Sequence, residues 1–235
     1  LVGTSCNGTI TRTYTITDAC GNTSSVDEVF TVTDDTAPVL TGAAYTGTTG
    51  TDDCMSAAAT AAPFNAANAV QGWTDNCSAS VTAILTNTVV TGTDCNWTVT
   101  YTYNVTDACG NSTTGSYSNT GSDQTAPVVA APSTSDLECE SDLPAAVTTI
   151  AAFNALPGAS ASDNCTATAN LTVSSVTGAL VGTSCNGTIT RTYTITDACG
   201  NSSSVDQVFT VTDDTAPVVA APSTSDLECE SDLPA

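Results

Sequence analysis

The side chains able to do chemistry in this chain of 235 residues are eleven cysteines and twenty-four acidic groups; histidine and lysine are absent and there are two arginines. Without histidine, lysine or a cysteine left over within a complete repeat, neither a Ser-His-Asp arrangement nor an activated thiolate can be assembled. A pair of carboxylates could in principle work as acid and base. Here, however, the paired acids recur at the ends of repeats, where a structural role explains them better, and the chain is read as not an enzyme. Two chemistries remain: cross-linking by sulfur and cation binding by carboxylate.

The cysteines fall four to a repeat, Cys54, Cys77, Cys95 and Cys109, then Cys139, Cys165, Cys185 and Cys199, with Cys6, Cys20 and Cys229 in partial copies. Even counts of this kind read as disulfides; a four-thiolate zinc site is the competitor, but its usual CxxC pairs are missing. Disulfides imply an oxidising, extracytoplasmic compartment.

One stretch positions these groups. Cys6 to Asn22 spans a strand with a cysteine near each end and recurs unchanged at Cys185–Asn201 and in looser form from Cys95 to Asn111. Ile10, Arg12, Tyr14 and Ile16 alternate with threonines, and Val99, Tyr101, Tyr103 and Val105 do the same, the two-residue period of a half-buried strand. Cys6 and Cys95 are 89 positions apart, and Cys95 and Cys185 are 90. With Thr-Ala-Pro as the seam, 1–35 is the tail of one repeat, 36–124 and 125–214 are complete repeats, and 215–235 is the head of another. The chain is therefore expected to be a window on a longer array, and its lack of a signal peptide or anchor carries no weight.

Within a repeat the order is an extended Pro-bounded head, a short helix predicted after Ser141-Asp142-Leu143-Pro144 and stopped by Pro157-Gly158, an Asp-Asn-Cys turn, one long or bent strand through Leu171, Val173 and Val176 to Leu180-Val181, the organising strand, a Gly-Asn turn and a final strand over 204–212. Pro63 shortens or displaces the helix in the other copy. This pattern predicts an all-β fold: tandem immunoglobulin-like antiparallel β-sandwiches, each with a short helical insertion and two disulfides. A jelly roll is the alternative. Cys95 and Cys109, at opposite ends of a strand roughly 30 Å long, cannot bond each other. Placing the two turns at one end of the sandwich predicts Cys54–Cys95, Cys77–Cys109, Cys139–Cys185 and Cys165–Cys199.

The run Thr196-Asp-Ala-Cys-Gly-Asn201, with Val205 to Val211 and Asp213-Asp-Thr-Ala-Pro217, resembles the HYR-like and immunoglobulin-like tandem repeats of giant secreted adhesins of Bacteroidetes, including those of gliding flavobacteria. That resemblance covers every segment. It implies a cell-surface filament used for adhesion or gliding motility. The extra cysteines depart from plain HYR modules, so no disulfide layout carries over.

Asp34-Asp35 and Asp213-Asp214 end a last strand and lead into the next segment, a position suited to calcium, which takes six to eight oxygens. Asp75, Asn76, Asp107 and Asn111 are expected to join the first pair; Asp123, Asp163, Asn164, Asp197 and Asn201 form the equivalent set, one carboxylate poorer because Gln124 follows Asp123. The other reading is that all are solvated turn residues capping their own backbone. Thr36 and Thr215, in Asp-Thr-Ala, are similar to an O-glycosylation sequence of Bacteroidetes; the Asn-X-Thr triplets follow from the abundance of threonine. Arg12 and Arg191, on the apolar face of the strand, are expected to make rim salt bridges or to pack through their stems. Lysine–asparagine isopeptide bonds are impossible here.

A formal charge of −22 excludes nucleic acid, which demands basic groups, and an anionic membrane surface. No run of about 18 apolar residues is present to insert in a bilayer. The expected partners are neighbouring repeats, lateral copies of the filament, and an extracellular surface or glycans. Near-identical repeats suit a stalk; the rival is a carbohydrate- or ice-binding face built on the regularly spaced threonines.

Overall fold

The computed structural model describes residues 1–221; most of the predicted head at 215–235 lies outside them. The fold is all-β, built of mainly antiparallel sheets with short helical insertions. Two compact units form. The first comprises Leu1–Val129, Ala161–Thr172 and Ile195–Ser203; the second comprises Ala130–Ser160, Val173–Thr194 and the chain from Ser204 onward.

The first unit opens with a hairpin of β1 (Asn7–Thr17) and β2 (Thr23–Thr33), paired residue for residue from Asn7↔Thr33 to Thr17↔Thr23. Its main sheet contains β3 (Thr82–Thr93), β4 (Asn96–Thr106) and β5 (Ser112–Ser122), with Thr51–Asp52 added in parallel along β5. Strict alternation puts Trp97, Val99, Tyr101, Tyr103 and Val105 of β4 into the core, where none is more than 3% exposed. The layer over them is thin: a ribbon of Val39–Leu40 and Trp73–Thr74, and two four-residue helices, α1 (Ala58–Ala61) and α2 (Ala66–Ala69). Pro63 lies between the helices, and Asn65 caps the second by accepting the N–H groups of Ala67 and Asn68. Phe64 then lies among Tyr101, Tyr103 and Tyr117, centroids 5.7–5.9 Å away. This aromatic cluster supplies apolar area that short helices cannot.

In the second unit Ser135–Leu137, β8 (Ser202–Val211), β7 (Asn186–Thr196) and β6 (Thr172–Thr177) lie side by side, and Val181–Thr183 also pairs with β7. The predicted helix is reduced to α3 (Ile150–Asn154). Thr149, not Ser141, provides the cap, accepting the Ala152 N–H at 3.3 Å, while Ser141 lies in a single 3-10 turn over Glu140–Asp142. The strand predicted through Leu171 to Val181 breaks near Gly178.

Arg191 departs from the expectation of a rim salt bridge. It is 3% exposed, donates to the Pro144 carbonyl at 2.7 Å and to Thr177 Oγ1 at 2.9 Å, and stands 5.2 Å from the Phe209 ring. Tyr101 holds the same strand position in the second repeat and donates to the Ala62 carbonyl at 2.8 Å. Both side chains therefore tie the sheet to the carbonyls of the segment covering it. A buried guanidinium needs acceptors more than it needs a countercharge in water, which decides its partners here.

A candidate cation site flanked by disulfides

Each organising strand ends in an Asp-Ala-Cys-Gly-Asn turn. Asp107 Oδ1 accepts the N–H groups of Cys109 at 2.8 Å and Asn111 at 2.9 Å, while the Asn111 amide donates to Asp107 Oδ2 at 2.8 Å. Gly110, at φ +94°, makes the reversal. The Asp-Asn-Cys turn uses the same device: Asp75 Oδ1 accepts from Cys77 and Ser78. The two turns meet where Ser78 Oγ accepts the Ala108 N–H at 3.2 Å. Asp34 arrives from the end of β2, its carbonyl accepting from the Asn111 amide at 3.0 Å.

Asp34, Asp75 and Asp107 thus offer carboxylate oxygens all within 4.8 Å of one another, and Asp123, Asp163 and Asp197 do the same. Asp34 and Asp123 are 6% and 3% exposed. In every carboxylate Oδ1 serves the backbone. Oδ2 of Asp34 and Asp75, and of Asp123 and Asp163, is buried without a hydrogen-bond partner. Burial pushes the Asp107 carboxyl up, but the hydrogen bonds from Asn111, Cys109 and Gly110 outweigh it and hold it below the ordinary value. Burial, with the charges of Asp163 and Asp197 behind it, holds Asp123 above the ordinary value. Two full charges at this spacing repel by about 3 kcal/mol at an effective dielectric of 20. Three acids, two of them with an orphaned oxygen, and no basic neighbour are a donor set that fits a hard cation such as calcium.

The other predicted ligands stand aside. Asp35 is exposed, so the Gln124 that replaces it costs the second set nothing; both sets have three carboxylates. Asn76 and Asn164 are exposed and donate to the Sγ atoms of Cys77 and Cys165. Asn111 and Asn201 position the acids through their amides. Asp213 and Asp214 are exposed and belong to neither three-acid set among the described residues. Thr36 and Thr215 are exposed as well.

The disulfides differ from all four predicted pairs. The structure joins Cys6 to Cys109, Cys54 to Cys165 and Cys95 to Cys199, with Cα atoms 5.1, 5.2 and 4.9 Å apart. Cys54–Cys95, Cys77–Cys109, Cys139–Cys185 and Cys165–Cys199 are all absent. The end-by-end placement does hold: Asp94 accepts the Met55 N–H at 2.8 Å beside Cys54 and Cys95, and the Ser78–Ala108 contact brings Cys77 near Cys109. The six bonded cysteines lie at or near the tips of strands and turns, where the sulfur within bonding distance belongs to the adjoining sequence repeat. Asp52 and Asp94, not singled out by spacing, help to set this end. Asp52 accepts the Gln124 N–H at 2.8 Å, and the Asp94 carbonyl accepts the Asp123 N–H at 2.7 Å. The readable signal was their place beside Cys54 and Cys95.

The four-cysteine pattern of the third repeat decides the comparison with known families. Residues 127–211 match the HYR-like domain with 4 cysteines. Within the matched residues the four cysteines are Cys139, Cys165, Cys185 and Cys199, and residues 36–124 carry the same four positions as Cys54, Cys77, Cys95 and Cys109. No curated protein matches the chain. Among solved structures it is similar to the protocadherin gammaB7 EC3-6 cis-dimer, with 13% identity, TM-score 0.33 and coverage of 92% of this chain and 61% of that one. It is similar also to the protocadherin gammaB4 extracellular domain, with 14% identity, TM-score 0.33 and coverage of 87% and 39%. The chain thus spans about three fifths and two fifths of their lengths.

Proposed function

We propose that this chain is a structural segment of a long extracellular filament or adhesin stalk, and that its work is mechanical. Residues 36–124 and 125–214 are its complete domains, with 1–35 and 215–235 parts of two more. The observation that carries this reading is the set of three disulfides, each joining residues more than 100 positions apart across a repeat boundary. A chain cross-linked from repeat to repeat resists bending and separation at its seams, as a stalk must. The HYR-like match supports an extracellular, adhesion-type repeat. No helix among the described residues is long and apolar enough to cross a membrane.

Calcium is the cation that the two aspartate sets would hold, with Asp34, Asp75 and Asp107 at one seam and Asp123, Asp163 and Asp197 at the next. Attachment to a bacterial cell surface and a part in gliding or adhesion are the finer reading, supported by the sequence resemblance. Glycans on Thr36 and Thr215 belong with it; an intact mass of native protein equal to the bare sequence removes them. Hydroxyls of the threonine face bond across strands, as between Thr100 and Ser118 at 2.8 Å and between Thr194 and Ser204 at 2.8 Å, which favours a stalk over an ice- or carbohydrate-binding face.

Electron microscopy of the native protein tests the stalk: beaded rods of regular spacing are expected, and isolated globules refute it. Calorimetric titration with calcium tests the ion, with heat of binding expected at two sites per chain and silence at millimolar calcium refuting it.

A further inference from the structure

The three bonds connect classes of cysteine by one rule. Cys6, Cys95 and Cys185 hold the same repeat position, as do Cys20, Cys109 and Cys199. Cys6 bonds Cys109, and Cys95 bonds Cys199, so each bond takes the start of one organising strand to the end of the next repeat's strand. The Cys54–Cys165 bond adds a second line by the same logic, since Cys54 is equivalent to Cys139 and Cys77 to Cys165. The unbonded cysteines among the described residues are Cys20, Cys77, Cys139 and Cys185, all exposed. Under the rule Cys20 and Cys77 take partners from a preceding repeat, and Cys139 and Cys185 from a following one. Each stands at a position whose equivalent is bonded elsewhere in this same chain.

We propose that the repeats are strung on a covalent spine, one strand and one disulfide in alternation, that carries tension past the folded domains, and that Cys20, Cys77, Cys139 and Cys185 continue its lines into flanking repeats. This rests on the stalk reading and adds how the stalk bears force. The route runs through Cys6 to Cys109, back along β4 to Cys95, across to Cys199 and back along β7. It uses fourteen residues per repeat in place of about ninety, and eleven of those, Asn96–Thr106, are already extended as a strand, which has little length left to yield. Loss of the fold in any one repeat then releases almost no chain.

The remaining bonds form by exchange with an oxidising protein disulfide. One thiolate attacks the carrier's S–S bond to give a mixed disulfide, and the second thiolate displaces the carrier as its dithiol. Two electrons and two protons pass to the carrier for each bond made.

Single-molecule pulling of the full chain from its two termini, with free thiols alkylated first, tests the spine. With the bonds intact the shortest path includes five residues to Cys6, fourteen along β4 and thirty-six from Cys199, so the final contour is about 200 Å at roughly 3.6 Å per residue. After reduction it grows about fourfold, to about 800 Å. Pairing within repeats leaves about 500 Å in the oxidised chain and overturns the proposal, as does a length unchanged by reduction. The continuation is tested by extending the chain past residue 235 to complete the repeat that 215–235 begins, and mapping the thiols. Cys139 and Cys185 are expected to become resistant to alkylation and to appear bonded to the completed repeat's counterparts of Cys165 and Cys199; alkylation of both as before overturns it. Rod-like particles with a long oxidised contour would sink the spine and leave the stalk standing, whereas globules would sink the stalk itself.

Discussion

Replacing Cys54 and Cys165 together with alanine removes one bond and orphans no thiol, which makes it the clean perturbation of the cross-repeat pairing. The bond closes a loop of 111 residues, but Cys95–Cys199 already shortens that loop to the two arms 54–95 and 165–199. Closing about 75 residues stabilises the folded chain by about 4.5 kcal/mol on the chain-entropy estimate. Against a total of about 5–15 kcal/mol for a typical domain, that loss is large. Guanidinium unfolding followed by tryptophan fluorescence is the assay, since Trp97, one of two tryptophans, is fully buried and its Nε1 donates to the Asp53 carbonyl, next to Cys54, at 2.8 Å. The midpoint is expected to fall well below that of the unaltered chain, with no change in titratable thiols. The control is Cys54→Ala with Cys95→Ala, which breaks two bonds and raises the thiol count by two, from Cys165 and Cys199. An unchanged thiol count in that control would refute the connectivity, and an unchanged midpoint in the first variant would refute the loop-closure reasoning.

Asp123→Asn should show opposite signs in two buffers. With chelator it relieves charge repulsion and stabilises by about 1–3 kcal/mol, while with calcium it weakens binding and destabilises; melting temperatures in the two buffers check this, and equal shifts would remove the cation from the seam. Arg191→Met keeps bulk but strips the Pro144 carbonyl of its donor, an expected cost of about 1–3 kcal/mol in denaturant titration; a cost near zero would mean the guanidinium is dispensable. Burial raises the phenol pKa values of Tyr101, Tyr103 and Tyr117. The fold therefore favours their neutral forms, so this stability is complete below about pH 10 and is lost as pH climbs through the raised folded values. Circular dichroism and phenolate absorbance should change together for these three rings, and phenolate signal well ahead of unfolding would contradict their burial.

Strand, turn and end were legible in the letters because they depend on local rules. Two-residue alternation buried Tyr101 and Tyr103, Asp107 and Asn111 closed their turn through their own backbone, and the length of β4 kept Cys95 from Cys109. The gathering of Asp34 with Asp75 and Asp107 was readable in outline, since each stood at a strand end or a turn facing one seam. Two things needed the third dimension. The identity of a sulfur's partner is a distance between chain segments more than 100 residues apart, and counting four cysteines per repeat suggested closure within a repeat that geometry does not make. Burial likewise belongs to the surroundings: Ile16 is 72% exposed and Ile195 fully buried although the sixteen residues Cys6–Gly21 and Cys185–Gly200 are letter for letter the same. A strand's sequence sets which side chains share a face, and only what packs against that face decides whether they leave water.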